Sequence, residues 1–263
     1  MSATTSSDPL STRFAELRDR GRRALVVYLT AGFPDPARSL ELLRGVAGAG
    51  ADVIEVGVPF SDPMADGPII QRSSQVALEH GIGMRETLAL VRDAALEVPV
   101  VLFSYLNPIL AGGPAVLATA REAGVSGVLV TDLPVGVDPE REAWLGSSGL
   151  AFVRLVAPTT PVERMREIGR HGSGFVYLIS RLGVTGVRDD VAADLPETVA
   201  RLRSATTLPI CVGFGVSSAA HATAIGRLAD GVVVGSAMVQ AASQGVQKAI
   251  DLTGELRLAL DRA

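Results

Sequence analysis

Ala51-Asp52-Val53-Ile54-Glu55-Val56-Gly57-Val58-Pro59 is an apolar run broken by one carboxylate and closed by a proline. Its near-continuous Val/Ile content is the pattern of a parallel strand buried on both faces. The stretch before it, 37–49, has apolar residues at helical spacing with Arg and Glu between them, and it ends at Gly50, the position of a helix stop. This unit recurs. Further apolar runs fall at 24–30, 98–105, 127–131, 150–156, 175–180, 208–213 and 230–235, which with 53–58 makes eight. Helical patterns also occupy 114–123, 162–171 and 219–228, and a leading helix is predicted at 12–22. Eight strand–helix units without a long linker predict an α/β fold: a single (β/α)₈ TIM barrel with an extra N-terminal helix. The predicted organisation is a flexible lead at 1–11 and the barrel at 12–263. An open doubly wound sheet is the alternative, but its first strand usually ends in Gly-x-Gly-x-x-Gly. Here that strand ends in Thr30-Ala31-Gly32-Phe33-Pro34.

The size suits this reading, since 263 residues is close to the roughly 250 of a typical barrel. With 48% hydrophobic residues, a disordered chain is excluded. The net charge of −4 offers no counterion release, so nucleic acid is not expected as a partner. A single cysteine, Cys211, cannot form an internal disulfide, which suggests a reducing compartment. No apolar run approaches the ~18 residues of a membrane span, and the first residues lack a basic, then apolar, secretory pattern. A cytoplasmic location is expected. Only one of the 24 basic residues is Lys, Lys248, in an amphipathic segment near the C-terminus. Schiff-base chemistry needs a positioned Lys, so none is expected here.

Catalytic groups of a barrel belong at the C-terminal strand ends and the loops beyond them. Glu55 shares a strand face with Val53 and Gly57. Two readings stand for it: a structural ion pair with an inward Arg such as Arg154, or a carboxyl whose pKa is raised by apolar walls for acid–base work. The loop that follows, Phe60-Ser61-Asp62-Pro63-Met64-Ala65-Asp66-Gly67-Pro68, adds Asp62 and Asp66. Three carboxylates suggest a divalent ion, but Asp in such loops also forms turns and caps. The three histidines, His80, His171 and His221, fall in or beside helices, and no metal is predicted. Late Gly-rich strand ends (SRLGVTG from Ser180, GFGVS from Gly213 and GSA from Gly235) suit a phosphate, with Ser236 adding a hydroxyl at a helix start. Tyr105 follows strand three, and Tyr177 sits in strand six. Each either packs in the core or hydrogen-bonds to a ligand or to Glu55.

EVGVPFSDPMADGP from Glu55, together with SRLGVTG, GFGVSS and GSAMV, resembles the tryptophan synthase alpha subunit family. The resemblance covers the chain from about Arg13 onward. It implies retro-aldol cleavage of indole-3-glycerol phosphate to indole and glyceraldehyde 3-phosphate. It makes Glu55 the acid–base and Asp66 the group holding the indole N–H, with Tyr177 beside the site. Gly186, Gly215, Gly235 and Ser236 would bind phosphate; Tyr28, Phe214, Leu129, Ile70 and Phe103 would line the indole pocket. No cofactor is implied in this chain, pyridoxal phosphate being expected in a partner beta subunit of an alpha2beta2 assembly. That partner would face the loops after strands two and six, around Asp62, Arg181 and Thr185, the second loop acting as a lid.

Overall fold

Parallel strands buried on both faces alternate with amphipathic helices, and the computed structural model closes them into one barrel of order β1-β2-β3-β4-β5-β6-β7-β8. It describes residues 8–179, 194–213 and 215–263. In chain order these are α1 (Pro9–Asp19), β1 (Ala24–Thr30), α2 (Pro36–Gly48), β2 (Val53–Gly57), α3 (Pro68–Glu79), α4 (Met84–Ala94) and β3 (Val100–Ser104). Next come α5 (Leu106–Ala111), α6 (Val116–Glu122), β4 (Val125–Val130), α7 (Pro139–Gly146), β5 (Ala151–Val156), α8 (Val162–Arg170) and β6 (Val176–Ile179). The chain ends with α9 (Leu195–Ala205), β7 (Ile210–Gly213), α10 (Ala219–Gly226), β8 (Gly231–Val234), α11 (Ser236–Gln244) and α12 (Val246–Leu260). All eight predicted strands are present. The simple one-helix unit is elaborated after β2, β3 and β8, where two helices follow each strand. The breaks fall at Gly81, Gly113 and Gly245, whose φ of 76°, 81° and 144° suits glycine alone.

Helix α1 starts earlier than the predicted residue 12. The Asp8 carboxylate accepts from Ser11 N–H at 2.9 Å, and Pro9 supplies the preset φ of a first helical position. Residues 9–11, expected in a flexible lead, are therefore helical, and Leu10 is buried. There is a packing reason. Leu10, Phe14 and Leu17 join Ala24, Val26, Val53, Val101, Ala151, Val153 and Phe175 in the barrel's inner core, so α1 plugs its N-terminal end. A larger apolar layer, including Leu25, Ile54, Leu102, Val128 and Val212, lies between the strands and the outer helices. The residues inside the C-terminal half of the barrel are thereby left to carry the site.

Candidate active site

Register decides which side chains meet at the mouth. In a parallel pair, residues side by side on neighbouring strands point the same way. Tyr28 on β1 lies beside Glu55 on β2, which lies beside Val101 on β3. Phe103 pairs with Leu129, and Tyr177 with Cys211. Since Val53, Val101, Leu129 and Tyr177 belong to the inner core, Glu55 points inward as well. Glu55 is 1% exposed, and among the described residues its Oε1 has no hydrogen-bond partner. Burial pushes its pKa up to about 8.

The predicted alternative, an ion pair with Arg154, is not formed. Arg154 is one residue out of phase on β5 and points to the helical layer. There its guanidinium donates to Glu142 on α7 at 2.7 Å and to the Leu133 carbonyl at 3.1 Å, and it stacks 3.6 Å from the Phe152 ring centroid. Among the described residues the buried carboxyl at the mouth thus has no counter-cation, the condition that holds a proton on Glu near neutral pH.

The loop after β2, residues 58–67, brings Asp66 to the same opening. Asp66 is nearly buried, and desolvation raises its pKa to about 6, partly offset by a hydrogen bond from Tyr105. Both carboxylates push the Tyr28 and Tyr177 hydroxyls upward in pKa, behind the larger effect of burial, so the four groups face one space. Tyr28 also meets Phe103 edge-on at 5.2 Å. Two glycines make room for these rings: a Cβ on Gly57 would strike the Tyr28 hydroxyl, and one on Gly213 the Tyr177 hydroxyl. The Thr30 hydroxyl, 3.4 Å from that of Tyr28, is 2.7 Å from Ser73 Oγ and so ties β1 to α3. Ile70 on α3 comes near Gly235, completing one wall with Tyr28.

Asp62 stands apart, exposed in the same loop and bonded to Ser61 Oγ at 2.5 Å. Among the described residues, no group of three His, Cys, Asp or Glu is arranged to hold a metal ion. At the predicted phosphate end, Gly235 precedes α11 and Ser236 opens it, both at least partly accessible, with no side chain capping the first turn. The neighbouring α10 differs, its start being capped by Ser218 at 3.3 Å. Gly215 is exposed at φ 85°. Arg181, Thr185, Gly186 and Phe214 lie outside the described residues. Sequence reasoning missed Gln71, which donates to the Asp66 carbonyl at 2.9 Å, and Glu142. Each meets its partner through the fold, and only Glu142's place on an amphipathic helix hinted at a role.

A barrel mouth that gathers two desolvated carboxyls and four aromatic residues beside an open helix start has the make-up of an acid–base enzyme site with apolar walls. The family model of the tryptophan synthase alpha chain matches residues 14–260, and this chain belongs to that family. A Caulobacter sp. (strain K31) tryptophan synthase alpha chain is 43% identical over 257 residues, 96% of this chain and 94% of that one. A solved structure of Mycobacterium tuberculosis tryptophan synthase matches with a TM-score of 0.89 at 37% identity, covering 97% of this chain and 99% of the other. The Legionella pneumophila str. Paris alpha subunit also gives a TM-score of 0.89, at 31% identity over 98% and 100% of the two chains. The activity is cleavage of indole-3-glycerol phosphate in tryptophan biosynthesis, a lyase reaction that needs no cofactor in the alpha chain.

Proposed function

We propose that Glu55 and Asp66 divide the chemistry of this cleavage between them. The observation that carries the reading is the buried, unpaired carboxyl of Glu55 at the barrel mouth. Protonated Glu55 delivers its proton to indole C3. The ring becomes an iminium with positive charge at N1, which the Asp66 carboxylate stabilises. The Glu55 carboxylate then removes the proton of the adjacent side-chain hydroxyl. Its O–H electrons form the aldehyde, and the breaking C–C bond restores the indole double bond. Glu55 ends protonated, as it began. The indole is its own electron sink, consistent with a chain whose only Lys, Lys248, lies on α12 and bonds to Gln244. Tyr28, Ile70, Phe103, Leu129, Phe214 and Tyr177 would enclose the ring. The open start of α11 with Gly235 and Ser236, together with Gly215 and Gly186, would hold the phosphate through backbone N–H groups and the helix dipole.

The two pKa values bracket a working range. Below about 6, Asp66 takes up a proton and loses the charge that stabilises N1. Above about 8, Glu55 loses the proton that C3 requires. A bell-shaped kcat/KM profile centred near neutrality is expected from an indole-release assay on the purified chain. A rate still rising beyond pH 9 would remove Glu55 as the acid.

The partner reading rests on the same face. The solved relatives include whole tryptophan synthase, and we place a beta subunit, holding pyridoxal phosphate in an alpha2beta2 assembly, over the loops after β2, β3 and β4. Met64, Leu110 and Val137 expose their side chains there, Met64 and Val137 at 89% and 68%. Beside them lies an open groove of about 370 Å³, lined partly by Leu110, Pro114, Arg141 and Trp144. Large exposed apolar side chains grouped on one face mark an interaction surface. Asp62, in the loop after β2, is assigned to the same interface, as are Arg181 and Thr185, which lie outside the described residues. Val137→Asp should weaken binding of the beta subunit about tenfold or more by calorimetry, while solo indole release is unchanged. Undiminished binding would move the interface elsewhere. Among the described residues, no helix is long and apolar enough to cross a membrane, and we place the protein in the cytoplasm.

A further inference from the structure

We propose that Tyr105 is a positioning residue for the cleavage, holding the Asp66 carboxylate in the orientation that meets the indole nitrogen. The proposal rests on the role given to Asp66 above. Tyr105 stands at the end of β3, just before α5, and is 4% exposed. It touches the loop after β2 at two places. Its ring packs on Phe60, centroids 5.1 Å apart, near the start of the loop. Its hydroxyl oxygen accepts the Ala65 N–H at 2.8 Å, near the end. With that lone pair occupied, the phenolic proton is left to donate, and the strongest charge acting on that hydroxyl is the carboxylate of the next residue, Asp66.

The backbone of Asp66 is already fixed from both sides. Its N–H donates to the Pro63 carbonyl at 3.1 Å, and its carbonyl accepts from Gln71 Nε2 at 2.9 Å. What remains to be set is the direction of the side chain, and Tyr105 sets it. The tyrosine is itself anchored: the following N–H, of Leu106, donates to Asp132 Oδ1 at 2.7 Å, and Ser104 Oγ donates to the Tyr105 carbonyl at 2.8 Å. The groups facing Asp66 are Tyr28 on β1, Glu55 on β2, Tyr105 and Tyr177 on β6, while Asp132 faces Tyr105 from the loop after β4. Of these, Tyr105 alone has its hydroxyl bonded into the loop that carries Asp66, through the Ala65 N–H at 2.8 Å. A donor to a carboxylate stabilises the charged form.

Tyr105→Phe keeps the ring on Phe60 and removes both hydroxyl bonds. The expected result is a folded protein whose kcat falls about tenfold, the scale of a lost hydrogen bond to a charged group, with a smaller change in KM. The acidic limb of the pH profile should move to higher pH. The substrate phosphate titrates in the same range, but this substitution cannot move it. A 2,3-difluorotyrosine at position 105, a stronger donor of the same shape, should move that limb to lower pH, and it keeps the test open if Tyr105→Phe folds poorly. A rate loss with the limb unmoved would show a purely structural role and overturn the proposal, as would an unchanged rate. Asp66→Asn run in parallel separates the two levels. If it stays active, the role of Asp66 itself fails, and this inference with it. If it is inactive while both Tyr105 replacements leave the limb in place, only the inference fails.

Discussion

Glu55→Gln should lower kcat for indole release by about 10²–10⁴-fold, the usual contribution of a positioned acid–base group. The replacement keeps size and shape but has no proton to give or take. Substrate binding is expected to change by no more than a few-fold, because the phosphate end and the aromatic walls are untouched. Calorimetry with indole-3-glycerol phosphate, which the variant turns over too slowly to disturb the titration, checks the second half. A variant keeping more than a tenth of the wild-type kcat would take the acid–base role away from Glu55.

The same substitution makes a stability prediction of definite sign. The folded-state pKa of Glu55, about 8, lies above the ordinary value of 4.5. Between those values the native state holds a proton that the unfolded chain has released, so its stability falls as pH rises through that window. Gln removes this dependence. Urea titrations at pH 5 and pH 8 should show Glu55→Gln gaining on the wild type at the higher pH. An acidic group kept in an apolar place for chemistry weakens the fold that carries it.

Much of this is legible in the sequence, and the reasons are local. Runs such as 24–30 and 53–58 are apolar because parallel strands are covered on both sides, so they announced the barrel. Glu55 was conspicuous because a carboxylate in such a run has no cheap structural explanation. That it stands unpaired is not legible. Arg154 lies in a similar apolar strand, and only the register shows that the two residues point to opposite faces of the barrel wall. The start of α1 is harder to read although Asp8-Pro9 carries a cap and a first-turn proline, because the Ser/Thr-rich residues before it have the composition of a floppy lead. The tie from Tyr105 to Ala65 spans 40 positions and joins a strand end to a loop, so no periodicity contains it.

The phase of Arg154 can itself be tested. Arg154 and Glu142 are 5% and 8% exposed, and their 2.7 Å pair also binds the segment after β4, where Glu142 accepts the Gly136 N–H at 2.6 Å and Arg154 donates to the Leu133 carbonyl at 3.1 Å; Arg154 donates as well to the His171 carbonyl, at the end of α8, at 3.1 Å. Arg164 adds a further bond to the Val135 carbonyl. Arg154→Met leaves a buried carboxylate without its cation, and breaking such a pair typically costs about 3–5 kcal/mol. Chemical denaturation should show a loss of that order. The double variant Arg154→Met with Glu142→Leu should recover a large part of it, since apolar replacement of both partners is often close to neutral. A loss below about 1 kcal/mol for Arg154→Met, the range of exposed pairs, would mean that the pair is not buried as described. The pH profile is the sharper arm. If Arg154 served Glu55, its removal would carry the alkaline limb upward. With Arg154 on the outer face, that limb should stay near 8, because it is burial among apolar walls that holds the proton on Glu55.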